Sequence, residues 1–332
     1  MSNANGTNSA SNQNTQQIKI NLNASELAVA IGVNPYQNIR DLFIKLWSRY
    51  FPQDYYRLLD DIKKNNKVEI IQETDYQCLQ RITNKYISGD DKKNLDEQIR
   101  ECLQAGDTDD LRKKQTEILK KMAEDSKKSG VEMKEDDKRE LEQTLVSMSN
   151  KRFGIRKEKD AISQYEELTQ KSVQRVGKYF TQEINVSGLV SSNLLREKSG
   201  GNSNIIWQFG GKIDGITNDN ELIEVKNRVK RFFNTVREYE KVQIQTYFRL
   251  LDLDSGYLVE SLVKMKDGPP EINIVPVVFD NNYWNSFLIP RTHQFIDFFQ
   301  HMLFDDNYKM RLLMMDESVM EREIRDTLYP MA

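Results

Sequence analysis

The chain has 332 residues, 30% of them charged and 38% apolar, with a net charge of −3 at pH 7. That length supports a large core in one or two domains, and the near-neutral total excludes a uniformly basic nucleic-acid binder, leaving only a local basic surface for such a partner. Cys78 and Cys102 lack metal-ligand spacing, which excludes a disulfide scaffold, a zinc ribbon and a four-cysteine iron–sulfur cluster.

No run approaches the roughly 18 apolar residues of a membrane span, and no apolar signal core opens the chain. The reading is of a soluble, intracellular, non-secreted protein. Residues 1–17 are Asn, Ser, Gly, Thr and Gln with almost nothing to bury, and are expected to be disordered. Residues 18–52 form the N-terminal helices. One starts at Asn23, Ala24 or Ser25, buries Leu27, Ala30 and Ile31, and ends at Gly32. A second starts at Asn38, spaces Ile39, Leu42, Phe43, Leu46 and Trp47 helically, and stops at Pro52. Residues 53–148 are dominated by charge and read as a helical insertion, either a solvated one or a partner-binding arm.

From Gly154 a helix carries Glu158, Ala161, Ile162, Tyr165 and Leu168 on one face. A carboxylate on an apolar stripe points at the core or a site, where it needs a partner. Equally, it marks the stripe's edge and pairs with Arg156 or another surface cation. Strands are predicted at 183–190, 205–217, 221–226, 257–263 and 272–279, with a helix over 237–251 between the third and fourth. That helix presents Tyr239, Val242, Thr246, Tyr247 and Leu250 to the core, with Gln243 within the stripe and Gln245 off its centre. Residues 149–304 thus hold the main core and 305–332 a C-terminal helix. The fold class is α/β (α+β), a central mixed sheet flanked by helices. His293 and His301 have no further ligand types nearby and read as surface or packing residues.

The chemistry gathers on the predicted hairpin at 205–226. A turn near Asp219 sets Asp214 opposite Glu224, about 5 Å apart at Cβ, where like charges destabilise unless a cation neutralises them. Lys226 shares the face of Glu224 by the strand period of two. Asp214, Glu224 and the Val225 carbonyl are hard oxygen donors of the kind Mg²⁺ or Mn²⁺ prefers. Lys226 would hold the attacking water or a phosphate, its pKa lowered by the neighbouring cation. Glu158 would add a ligand for a second metal. An exposed ion-pair ladder is the plain alternative, opposed by the apolar residues flanking both strands. Beyond the hairpin, Arg228, Lys230, Arg231 and Arg237 interleave with Phe232 and Phe233, a pattern suited to phosphate contacts or to a solvated basic loop; beside a metal site the former is preferred.

Three blocks together resemble the PD-(D/E)xK nuclease superfamily, and within it the YqaJ-like viral recombinase (lambda-exonuclease) family. They are Ala24-Ser25-Glu26 with Gly32 to Tyr36, the Gly154-to-Tyr165 helix with Glu158, and Gly211 to Lys226 followed by Gln243 and Gln245. The resemblance implies a restriction-endonuclease-like core and Mg²⁺-dependent digestion of linear double-stranded DNA from 5′ ends in recombination. It also implies an annealing protein as partner and a trimeric homo-oligomer. Glu158, Asp214 and Glu224 would be metal ligands, Lys226 the catalytic lysine, Gln243 its companion, and Ser25 and Arg231 contacts to DNA phosphate. The chain departs from the family at Ile213, where Pro is usual, at Lys212, which stands for a small residue and could take over its phosphate contact, at Asn227-Arg228, and in the long insertion. An endonuclease on the same core and a non-catalytic DNA-binding or assembly protein are the competing readings.

Overall fold

The computed structural model describes residues 16–66, 75–86, 95, 99, 108–128, 133–189, 203–228, 230–262 and 269–330. The predicted disorder of residues 1–15 and the cysteine at 102 lie outside that set. Gln16 and Gln17 instead open a strand, β1 (Gln16–Asn23). Its Ile20 and Leu22 are fully buried, and the alternation Ile18, Ile20, Leu22 is the period-two signature of a half-buried strand. Asn23 then starts α1 (Ala24–Ala30), with the Glu26 carboxylate reaching back to the Asn23 N–H at 3.0 Å. Gly32, at φ +76°, ends that turn under the ring of Tyr329, where a Cβ would lie 2.7 Å from the ring.

Two helices follow, α2 (Ile39–Tyr50) and α3 (Pro52–Asn66). Tyr55, Leu58, Leu59 and Ile62 of α3 join the main core with Trp207, Phe295 and Phe299. The chain from 52 to 66 therefore packs with the main core. That segment contributes α4 (Asp75–Tyr86), α5 (Thr108–Lys128) and the first half of α6 (Glu135–Thr169). They share a separate core built on Leu79, Ile82, Met122, Leu141 and Leu145. The 35-residue α6 runs unbroken through positions 148 and 149. Its second half lays Ala161, Ile162 and Tyr165 on Ile223, Val225 and Val259, whereas Leu168, expected on that face, is 62% exposed.

Two mixed sheets follow. The first has the order β1–β4–β3 and the second β2–β5–β6–β7–β8, with β2 (Val173–Gln174), β3 (Tyr179–Glu183), β4 (Ser203–Lys212), β5 (Gly215–Thr217), β6 (Leu222–Arg228), β7 (Ser255–Leu262) and β8 (Glu271–Val278). The strand predicted over 183–190 is displaced: β3 ends at Glu183, with one further bond from the Ile184 N–H to the Trp207 carbonyl at 2.8 Å. The single strand predicted over 205–217 is two strands in two sheets, with Ile213 and Asp214 as the crossing between them. β6 and β7 are parallel, joined by the crossover helix α7 (Glu238–Leu251). α7 covers the face of Leu222 and Leu258, while α6 covers the opposite face of Ile223 and Val225. A helical turn (Asn281–Tyr283) passes through a π-helical turn (Trp284–Leu288) into α8 (Ile289–Met302). Two helices close the chain, α9 (Asp306–Met314) and α10 (Glu317–Leu328). No helix among the described residues is long and apolar enough to cross a membrane.

Candidate active site

Asp214 stands in the gap where β4 has left the first sheet and β5 has just entered the second. The turn at the far end of the hairpin is closed by the Thr217 N–H to Glu221 carbonyl bond, with Asn220 at φ 64°. The register Gly215↔Ile223 and Ile216↔Leu222 continues to Asp214 opposite Glu224, as the turn position predicts. Asp214 Oδ2 accepts the Val225 N–H at 2.7 Å, taking the place of the next strand bond. A residue on an antiparallel edge points its N–H and C=O the same way, so the Val225 carbonyl faces this gap too.

Glu224 and Lys226 alternate onto the face covered by α7. The Lys226 ammonium donates to Glu224 Oε1 at 2.7 Å and to Gln243 Oε1 at 2.8 Å. Glu224 is 2% exposed, and its Oε2 is buried with no hydrogen-bond partner. Burial first, then the Glu224 and Glu158 charges, push the Asp214 carboxyl well above the usual carboxylate range. Burial also raises Glu224, with Lys226 offsetting part of it. Burial opposes the Lys226 charge, but Glu224 and Asp214 outweigh it and raise its pKa. The lowered lysine pKa expected from the sequence presupposes a cation next to it; here its neighbours are carboxylates.

Gln243 is held from behind. Its Nε2 donates to the Tyr247 hydroxyl at 3.0 Å, and that hydroxyl donates to the Lys212 carbonyl at 3.1 Å. These bonds leave the Gln243 carbonyl turned to Lys226. Tyr247 fits only because Gly211 has no side chain: a Cβ there would lie 2.4 Å from its ring. The sequence reading placed Tyr247 on the apolar face, and it is 4% exposed, but its hydroxyl serves the site. The signal was the i, i+4 spacing from Gln243, which aligns the two on one helix flank. Gln245 is 0% exposed, more buried than its off-centre position suggested. Its amide bonds the Val278 carbonyl at 2.8 Å and the Asp280 N–H at 2.7 Å, fastening α7 to the end of β8.

Glu158 lies near enough to raise both Asp214 and Glu224, yet its carboxylate pairs with Arg175 at 3.1 Å. Strand alternation explains this: α6 packs on the Ile223 and Val225 face, opposite to Glu224 and Lys226. The alternative partner, the Arg156 side chain, lies outside the described set. Among the described residues no group of three His, Cys, Asp or Glu converges to hold a metal ion. Asp214, Glu224 with its unpaired oxygen, and the Val225 carbonyl are the donors that could take a hard cation. Glu158 would join them only after leaving Arg175.

The predicted DNA-contacting residues divide. β1 runs parallel to β4 and ends with Asn23 opposite Gly210, so exposed Ser25 opens α1 beside the strand that leads through Lys212 to Asp214. Lys212, Lys230 and Arg231 are exposed. Arg237 is half-buried, stacked at 3.3 Å over the Phe233 ring and donating to the Tyr36 hydroxyl at 2.8 Å. Arg228 corrects the sequence reading. It is 8% exposed and bonds Glu260 at 2.8 Å and Glu240 at 2.6 and 3.0 Å. It shares the face of Glu224 and Lys226, which α7 covers, so its charge serves the interior.

No family model and no curated relative matches the chain. Among solved structures it is similar to an alkaline exonuclease (LHK-Exo) from Laribacter hongkongensis, at 15% identity over 64% of this chain and 90% of that one, with a TM-score of 0.32. The same exonuclease in complex with dAMP gives 14% identity, the same coverage and a TM-score of 0.33. A protein described as SSO0001 gives 15% identity over 47% of this chain and 62% of its own, with a TM-score of 0.31. At these values the likeness is coarse.

Proposed function

We propose that the protein is a Mg²⁺-dependent deoxyribonuclease, a 5′–3′ exonuclease on linear double-stranded DNA acting in viral-type recombination. The observation that carries this reading is the pair Asp214 and Glu224 facing across the sheet junction, with an unpaired buried oxygen on Glu224 and the ammonium of Lys226 beside it. A buried carboxylate and a partly buried one, both with raised pKa values, favour a cation between them. A divalent cation held by Asp214, Glu224 and the Val225 carbonyl would neutralise the phosphate and supply Lewis acidity.

The chain's own groups then have defined tasks. Lys226 spends two of its three N–H donors on Glu224 and Gln243, leaving one for the attacking water or a phosphate oxygen. In hydrolysis the water oxygen bonds to phosphorus while the bond from phosphorus to the leaving sugar oxygen breaks. A lysine held in this way stabilises the charge that builds on the phosphoryl oxygens without reorganising. Ser25 and Lys212 suit the phosphate of a DNA end, because Ser25 follows the end of β1 and Lys212 ends the paired strand β4, which leads to Asp214. Lys230, Arg231 and Arg237 suit backbone positioning further along the strand.

The test is digestion of linear, nicked and closed circular duplex with Mg²⁺, using wild type, Lys226→Ala and Asp214→Ala. Linear DNA should be degraded and closed circles spared, with both variants reduced at least about a hundredfold. In parallel, Mg²⁺ at a hundredfold excess over its Kd should stabilise the wild type by about 2.7 kcal/mol and leave Asp214→Ala unshifted. Full activity in either variant rejects the site. Circles cut at the linear rate reject the exonuclease reading in favour of an endonuclease. No cleavage of any substrate leaves the non-catalytic class.

A further inference from the structure

Tyr36 is 69% exposed, yet it is held on three sides. Its backbone N–H is bonded by Asn34 Oδ1 at 2.8 Å, and its hydroxyl takes the Arg237 guanidinium at 2.8 Å. Its ring meets Tyr239 edge-on, 5.6 Å between centroids at 85°. Arg237 is itself fixed on the Phe233 ring. A solvent-facing aromatic ring costs little to leave mobile, and these contacts instead present it in one orientation while most of the residue stays open to solvent. Arg231 lies by the same Phe233 ring, 6.0 Å from its centroid, and the Glu240 carboxylate beside Tyr239 is engaged by Arg228.

Arg237 caps the helix that carries Gln243, so the platform and the candidate active site share one element. We propose that Tyr36 is a nucleobase-stacking residue that takes an unpaired base of the bound DNA while Arg237 and Tyr239 hold the ring. An exposed aromatic ring beside a guanidinium matches what a strand of nucleic acid offers, flat bases on an anionic backbone. This inference rests on the deoxyribonuclease reading for its DNA ligand, but its stacking contact does not depend on hydrolysis.

The test separates the two. Duplexes with 2-aminopurine at successive positions from the 5′ end are titrated in EDTA, where nothing is cut, with wild type, Tyr36→Ala and Tyr36→Phe. The expected result is quenching of the probe at one position near the end by wild type, most of which Tyr36→Phe keeps through its ring and the contact with Tyr239. Tyr36→Ala should lose the quench and bind about tenfold more weakly, the effect of losing one base–aromatic stack. Equal affinity and unchanged fluorescence in Tyr36→Ala would overturn the proposal, as would absence of DNA binding by wild type. Quenching without cleavage in Mg²⁺ would retain the stacking contact and reject the nuclease reading; cleavage with no effect of Tyr36→Ala would do the reverse.

Discussion

The Tyr247 hydroxyl joins the two halves of the candidate site, α7 through Gln243 and the sheet junction through the Lys212 carbonyl. Tyr247→Phe keeps the ring that Gly211 admits and deletes both bonds. The Gln243 amide is then free to turn its NH₂ to Lys226, where donor would face donor. The expected outcome is a roughly tenfold fall in kcat with KM for DNA nearly unchanged, because the lost interaction orients a reacting group and does not bind substrate. Steady-state kinetics on a linear duplex measures it, and an equal fall after Tyr247→Phe in a Gln243→Ala background would show that the hydroxyl does not act through Gln243. At this scale much of the site could be read beforehand. Asp214, Glu224 and Lys226 follow from a turn and a period of two, and Gln243 from a helix stripe. For Tyr247 the sequence offered only the i, i+4 spacing from Gln243, and for the Arg175 partner of Glu158 nothing, since a hydroxyl or a cation shows its partner only once the layer above it is known.

Among the elements, β6 and α7 are clamped by Arg228, whose guanidinium takes Glu240 from the helix and Glu260 from β7. All three are buried, so removing one partner leaves an uncompensated charge. Burial would raise the Glu260 carboxyl, but Asn273, the Asn234 and Phe233 N–H groups and Arg228 overcome it and hold its pKa below the ordinary value. A carboxylate with a depressed folded pKa adds stability that is full above its unfolded pKa, near 4.5, and disappears as pH falls through the folded value. Glu260→Gln should therefore cost about 3 kcal/mol at pH 7, with the gap to wild type closing below pH ~4.5. Urea unfolding from pH 7 to 3 tests this, and a pH-independent gap would exclude the carboxylate as its source. The same cluster shows where sequence falls short. The four cations from Arg228 to Arg237 look alike as letters, and burial of Arg228 depends on the helix that returns over it. The break of one predicted strand at Ile213 and Asp214 has a similar origin: the apolar pattern continues while the pairing partner changes from β1 and β3 to β6. β1 was missed: Ile18, Ile20 and Leu22 carry a short alternation, but the polar tail beside it masked the pattern.

For the whole molecule, one helix links two cores. α6 spans 35 residues, about 52 Å at 1.5 Å per residue. Leu141 and Leu145 on its first half pack with Cys78, Ile82 and Met122, and Ala161 and Tyr165 on its second half pack on the second sheet. The two clusters have no buried residue in common, and the helical one is small and built from strongly charged helices. Small cores bury too little apolar surface to match a large one, so the helical unit should open alone at a lower free energy than the sheets. Cys78, 6% exposed in that core, supplies a probe. In a Cys102→Ser background its reaction with a thiol reagent should proceed through an opening that leaves the near-ultraviolet signal of the Trp207 and Phe295 cluster intact. In urea, Cys78 should become reactive before that signal is lost, and the unfolding curve should depart from two-state form. Coincident transitions by both probes would mean that α6 couples the cores into one cooperative unit. In that case ligands acting on the charged helices would bear directly on Glu158, seventeen positions after Leu141 on the same helix.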